Sequence, residues 1–339
     1  MSNRHLIVLS VGWVLLVASC GEKLPLPAGV EDDTGSLTDT TFAPILPHWT
    51  EAGGTPFNNP FGVDVGYDQT IYISDTRNDR IVRLTANGEY IESYDMPHPH
   101  GVAQDRGFTL AAVNGGNSVW VKRPGMRQFL PFGKVDSTYR CKAQPNGPPI
   151  CWWEVASLAS ITASRETKSV FFTCGTGRVR VMFGDPLQTE PQLYPIIDSS
   201  GKYGGLYYPN DVEFAVVRDQ RRLIVTQFGG VYGVQYLALP HYLPAIADST
   251  RDAFQMPLDD TKYVATDERG NVFVLHRAHG LVMMFDKDGR YVLSFGRDGT
   301  DPLSLQDPTS IAVLGDMVLI ADAKNNRISR YQMTAVPQN

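Results

Sequence analysis

From Asn59 to Leu84 the chain reads NPFGVDVGYDQTIYISDTRNDRIVRL, and its apolar positions fall in short alternating runs rather than at helical spacing. Val63 and Val65 flank Asp64 as in a half-buried strand, Ile71, Tyr72 and Ile73 form a second β-rich run, and Ile81, Val82 and Leu84 a third. Between them, Gly66-Tyr67-Asp68-Gln69 and Asp75-Thr76-Arg77-Asn78 are turn chemistry, because Asp and Asn side chains bond nearby backbone amides. A fourth run, Tyr90 to Tyr94, follows Asn87-Gly88. The pattern predicts a four-stranded antiparallel meander.

The unit recurs. From Asp307 to Tyr331, Ile311-Ala312-Val313 gives a first strand and Val318-Leu319-Ile320-Ala321-Asp322 a second. Asp75-x-x-Asn78-x-Arg80-Ile81 and Asp322-x-x-Asn325-x-Arg327-Ile328 share four identities at identical spacing. Together with the strand pattern, this resembles the NHL repeat, the unit of one class of six-bladed β-propellers. The resemblance covers most of the chain after residue 58 and implies an all-β six-bladed propeller of four-stranded antiparallel blades. It implies fold rather than activity.

Further copies follow the same rhythm. The second has Leu110–Val113, Val119–Val121 and Met126–Phe132; the third has Leu158–Ala163, Ser169–Thr173, Arg178–Phe183 and Gln192–Ile197. The fourth opens at Pro209, pairs Leu223–Val225 with Val231–Leu237 and then loses its pattern, so its outer strand is not assigned. The fifth has Tyr263–Thr266, Asn271–Leu275, Leu281–Phe285 and Tyr291–Phe295. The sixth reaches Tyr331 with three strands, while Phe42–Trp49 precedes the first copy without a partner. An N-terminal strand closing the last blade would remove two exposed sheet edges, and that closure is the expectation.

At the N-terminus, Arg4 and His5 precede an apolar run from Leu6 to Val17, too short for a membrane span but suited to a signal-peptide core. Val17-Ala18-Ser19-Cys20-Gly21 looks like the lipobox of bacterial lipoproteins, which implies cleavage before Cys20 and its lipidation. An ordinary signal peptide with a chance cysteine is the alternative. The expected organisation is a signal peptide over 1–19, a flexible Gly-, Pro- and Thr-rich tether over 20–41, and the propeller over 42–339. Such a protein would be exported to the bacterial cell envelope and held on a membrane through the lipid alone. A net charge of −6 without a basic run argues against a nucleic-acid partner.

Antiparallel order places the turn between second and third strands, and the connection to the next blade, on one face. The long connections 133–156, 198–208 and 238–257 gather there. So do Arg77, Asn114, Asn117, Phe228, His276, Arg277, His279 and Lys324 from the turns, with His98 and His100. Loops on a rigid scaffold commonly carry binding residues, although each residue alone also reads as solvated turn chemistry. The longest connection holds Cys141 and Cys151, followed by Trp152 and Trp153. An exported chain permits a Cys141–Cys151 disulfide, with pairings to Cys174 left open. Neighbouring strand side chains alternate, so one of the two tryptophans is expected to face solvent, as an anchor for a partner or as a lid.

His98-x-His100 and His276-x-x-His279 are the only metal-site candidates, and isolated turn histidines are more often surface. No Gly-x-Ser-x-Gly, Walker loop or Cys-x-x-Cys is present, so neither a cofactor nor a catalytic residue is assigned. Two functions remain. One is a tethered scaffold that binds a protein, peptide or glycan on its loop-rich face through Trp152, Trp153, Arg77, Asn114, Phe228, His276 and Arg277. The alternative is a metal-dependent lyase or hydrolase acting at the channel mouth.

Overall fold

The computed structural model describes residues 40–135, 138–144, 147–154, 157–164, 170–174, 178–183, 192–197, 209–217, 220–227, 234–238, 243–244 and 262–335. All of them belong to one compact unit, Asp39–Asn339. The N-terminal segment, with Cys20, lies outside the described residues, as does Phe228.

The described strands form six four-stranded antiparallel sheets. The first comprises Pro60–Val65, Ile71–Asp75, Arg80–Leu84 and Tyr90–Asp95, and the second Gly101–Gln104, Leu110–Val113, Ser118–Lys122 and Leu130–Lys134. The third comprises Leu158–Ala163, Val170–Cys174, Arg178–Phe183 and Gln192–Ile197, and the fourth Pro209–Val217, Gln220–Gln227, Val234–Ala238 and Leu243–Pro244. The fifth comprises Lys262–Thr266, Val272–His276, Leu281–Phe285 and Tyr291–Phe295. The sixth takes Pro308–Leu314, Met317–Asp322 and Arg327–Ala335 from the C-terminal end and Thr40–Pro44 from the other. Thr40 pairs with Ala335 and Pro44 with Tyr331, so the closure expected from the missing strand is formed, beginning two residues before Phe42.

Each first strand packs on that of the next sheet, and the sixth on the first. The fold is therefore an all-β propeller with four-stranded antiparallel blades. Its core lies between blades. Val63, Ile73 and Val82 meet Leu319, Ala321 and Ile328 at one seam, and Phe273, Leu275 and Met284 meet Val313, Ile320 and Tyr331 at the next. Second strands are covered on both sides, which is why IYISD, LAAV, VFVLH and VLIAD read as nearly unbroken apolar runs.

Sequence and structure differ at the outer rim. The second blade's outer strand lies at Leu130–Lys134 instead of Met126–Phe132, and that of the fourth is two residues long. The connection 133–156, expected as a loop, contains a separate two-stranded sheet, Thr138–Gln144 with Gly147–Glu154.

The repeated Asp-x-x-Asn-x-Arg motif is a clasp. Asp75 has no solvent exposure; its carboxylate accepts from Arg80 Nε and Asn78 Nδ2, each at 2.8 Å, and from the backbone amide of Asn58 at 2.8 Å. Asp322 repeats this with Arg327 Nε at 2.8 Å, Asn325 Nδ2 at 2.9 Å and the Gln306 amide at 2.7 Å. Each arginine continues to backbone carbonyls, Arg80 to Ala52 and Thr55 and Arg327 to Asp301 and Ser304. Buried charge is tolerated here because both oxygens of each carboxylate accept hydrogen bonds and a guanidinium pairs with it.

Candidate functional site

The first strands of all six blades surround a narrow axial channel. Phe61, His100, Ser160, Asp211, Tyr263 and Ser310 line it, one residue from or just before each first strand, and the free space is about 40 Å³. That admits a water or two and no organic ligand. The strands crowd closely: a Cβ at Gly62 would lie 2.2 Å from the His100 carbonyl oxygen, so no other residue fits there without a shift of backbone.

Two carboxylates of the fourth blade clip its neighbours inside the channel. Asp211 accepts hydrogen bonds from the Ser160 hydroxyl and the Val264 amide, the latter at 2.7 Å; Glu213 faces Thr162 Oγ1 at 3.2 Å and Thr266 Oγ1 at 3.3 Å. Enclosure pushes the Asp211 carboxyl up to about 6, against the hydrogen bonds that favour its ionised form. At the sixth and first blades the clip is a hydroxyl, Ser310 Oγ, which bonds both the amide and the carbonyl of Val63.

On the face that carries the connections between blades, the expected binding residues are largely engaged in holding neighbouring blades together. Asn59, His98 and Asp307 each precede a first strand with φ of 54°, 44° and 53°. Each takes a bond from the turn of the preceding blade: Asn59 N donates to Asn326 Oδ1 at 2.7 Å, His98 N to Asp79 Oδ1 at 2.8 Å, and Arg277 Nε to Asp307 Oδ1. Lys324 Nζ adds a second cation 3.8 Å from Asp307, and the Arg277 hydrogen bond leads the causes that hold the Asp307 carboxyl below its usual range. Asn114 Nδ2 donates to the Pro97 carbonyl at 3.2 Å, and the Asn117 carbonyl accepts from Val135 N. Arg77 is exposed.

The histidines separate in role. His276 was expected on the binding face, but it is fully buried, because it stands where the clasp of the first and last blades has its aspartate: His276 pairs with Leu281 as Asp75 pairs with Arg80. His279 stands in the asparagine position, its ring 4.9 Å from that of His276, and Gly280 takes the left-handed place of Asp79 with φ of 56°. His98 is 70 % exposed beside Asp79, and His100 is half-buried, stacked on Phe61 at 4.5 Å. Burial lowers the His100 pKa, with His98 adding repulsion. Among the described residues, no three His, Cys, Asp or Glu side chains come together as a metal site.

The hairpin Thr138–Glu154 sets Cys141 directly opposite Cys151, Trp152 opposite Arg140 and Trp153 opposite Tyr139. Cys174 ends the second strand of the third blade, at the clasp position. On the opposite face, where the other two turns of each blade lie, the channel opens into a cavity of about 280 Å³ bordered by Val65, Gln69, Phe214, Thr266, Glu268 and Leu314. Sequence reading did not reveal it, since its walls come from turns of four blades.

No protein-family model matches the sequence, and no curated protein aligns with it. Solved structures with the same fold are found at low identity. A Bacteroides thetaiotaomicron protein of unknown function is 13 % identical over 87 % of this chain and 76 % of its own, with a TM-score of 0.59. A streptogramin B lyase is 10 % identical over 88 % and 99 % of the two chains, with a TM-score of 0.53. Virginiamycin B lyase from Staphylococcus aureus is 10 % identical over 87 % and 100 %, also at 0.53. At such identity the likeness carries the β-propeller fold alone.

Proposed function

We propose that this chain is a membrane-tethered binding protein of the bacterial cell envelope: a six-bladed NHL-like propeller that takes a protein, peptide or glycan partner on the face of its inter-blade connections. The observation that carries this reading is the hairpin Thr138–Glu154, which belongs to no blade and is inserted on that face between the second and third blades. A two-stranded hairpin alone is marginally stable in water, and a Cys141–Cys151 disulfide at its facing positions would pre-organise it. Pre-organisation lowers the entropy lost on binding, and adjacent tryptophans are favoured anchor residues. Export and lipidation through Cys20 supply the oxidising setting in which the disulfide forms. The lyase reading rests on fold likeness, and among the described residues no specific arrangement of side chains favours it.

Trp152→Ala and Trp153→Ala test the site. If either side chain is the anchor, its removal should weaken capture of an envelope partner by ~2 kcal/mol or more while hardly moving the melting temperature. Early melting of both variants with capture unchanged would make the tryptophans core and the hairpin structural.

A further inference from the structure

On the face opposite the hairpin, the turns joining first to second strands share one geometry and differ in what they carry. Those at 66–70, 105–109 and 267–271 are each closed by the same two backbone bonds, as from Asp105 N to the Thr109 carbonyl and from Phe108 N to the Asp105 carbonyl. The fourth position has positive φ in all three, at Gln69, Phe108 and Gly270. Glycine serves there in the fifth blade, whose tip reads Glu268-Arg269-Gly270, so the turn itself asks for no aromatic ring. Phe108 nevertheless stands 50 % exposed, with Tyr67 of the first-blade tip edge-on at 6.0 Å and 39 % exposed.

The charges beside this pair are of two kinds. In the depression between the two blades they cancel: Arg83 pairs with Asp68 and Glu92, and Lys122 feels the Glu92 carboxylate. On the outer tips they do not. Arg106, two residues before Phe108, and Arg127, on the turn 123–129, are both exposed and form no ion pair among the described residues. Arg123 begins that turn, 5.7 Å from the Phe132 ring centre, and its Pro124, Gly125 and Met126 border the same depression as Phe108. Among the described turn residues of these two blades on this face, Glu89 is the one exposed carboxylate, against three arginines. Elsewhere on the face both signs alternate, as in Glu268-Arg269 and Lys287-Asp288.

The start of the chain identifies what lies opposite. Thr40 emerges at the rim of this same face, and the segment before it carries the apolar run Leu6–Val17 and Cys20. Whether that run or a lipid on Cys20 holds the membrane, the bilayer comes within reach of this side. Exposed aromatic rings sit well at headgroup depth, and unpaired guanidinium groups pair with lipid phosphates. We propose that the corner formed by Tyr67, Arg106, Phe108 and Arg127 docks on an anionic lipid surface and so sets the orientation of the propeller. This rests on the membrane-tethered reading and is independent of any partner on the hairpin.

Cosedimentation with vesicles tests the corner apart from the anchor. Residues 20–339 with Cys20→Ser keep the whole compact unit and carry no acyl chain. Binding to vesicles of equal parts phosphatidylglycerol and phosphatidylcholine is expected, about tenfold or more tighter than to phosphatidylcholine alone. Arg106→Ala and Arg127→Ala should each weaken it about fivefold, since one cation near an anionic surface contributes ~1 kcal/mol. Phe108→Ser should weaken it at least as much, whereas Phe108→Trp should retain it, which separates loss of the ring from misfolding. Arg290→Ala, on the same face at the fifth blade, should change it less than about twofold. No preference for the anionic vesicles, wild-type binding by the Arg106, Arg127 and Phe108→Ser variants, or equal weakening by Arg290→Ala would each overturn the proposal. Membrane release of Cys20→Ser in cells reports on the lipid anchor separately.

Discussion

Equivalent positions in this ring are filled by different residues. The end of each second strand holds Asp75, Cys174, Gln227, His276 and Asp322 in the first, third, fourth, fifth and sixth blades, and only the two aspartates recruit an arginine five residues on. Asp211 shows the opposite balance, since enclosure outweighs three hydrogen bonds. Its folded pKa, about 6, lies above its ordinary 3.8. The native state therefore binds the proton more tightly than the unfolded chain: this contribution is complete below about pH 3.8 and is lost as pH rises through 6. Asp68, Glu92 and Asp307 are displaced downward and have the reverse sign, supporting the fold above their unfolded pKa values and failing as pH falls. Asp211→Asn isolates the one from the others. Between pH 4 and pH 7.5 the stability difference should move in favour of the variant by on the order of 2–3 kcal/mol. Denaturant melts of both proteins at the two pH values measure it, and a pH-independent difference would show that Asp211 ionises freely.

At the scale of elements, Thr40–Pro44 is what completes the last blade. Phe42 stacks on Phe295 at 4.3 Å and meets Phe273 edge-on at 6.0 Å, so the strand contributes packing as well as a ladder. Phe42→Ala should cost about 2 kcal/mol, less than a fully buried Phe because Phe42 is partly exposed. Deleting 40–44 should lower the melting temperature further and expose the edge of Arg327–Ala335 to self-association, whereas deleting 22–38 should do neither. Equal melting curves for the two truncations would exclude the closure as a stabilising element. The strand order was legible because second strands, buried on both sides, leave continuous apolar runs. Outer strands were not, because Leu130–Lys134 is half to fully exposed and Leu243–Pro244 is too short to leave a period. The second strand of the hairpin, Gly147–Glu154, was obscured by Gly147-Pro148-Pro149, which reads as loop. His276 was misread because its turn neighbours are polar, although its register matches Asp75. The channel-mouth cavity could not be read at all, since its walls come from turns of four blades.

The whole molecule has two unlike faces, and the chain enters at one of them. First strands run from the connection face toward the other; the sixth blade's outer strand, Thr40–Pro44, is antiparallel to its neighbour and runs back, so Thr40 lies at the rim of the face carrying the channel-mouth cavity. If residues 20–39 form the tether that their composition leads one to expect, about 20 residues would have a root-mean-square reach of about 25 Å, comparable to the domain's own radius, so the attachment point would bias orientation without fixing it. If Cys20 carries lipid, the face with the channel-mouth cavity should lie nearer the membrane and the hairpin should project away from it. A fluorophore placed at Asn87→Cys, on an exposed turn of the near face, should then be quenched more by a lipid-borne quencher than one at Arg77→Cys on the far face. The Cys20→Ser background, with Asn87→Cys or Arg77→Cys, should abolish quenching at both. Equal quenching at the two positions in the lipidated protein would remove the orientation, and undiminished membrane association of Cys20→Ser would remove the anchor on which it depends.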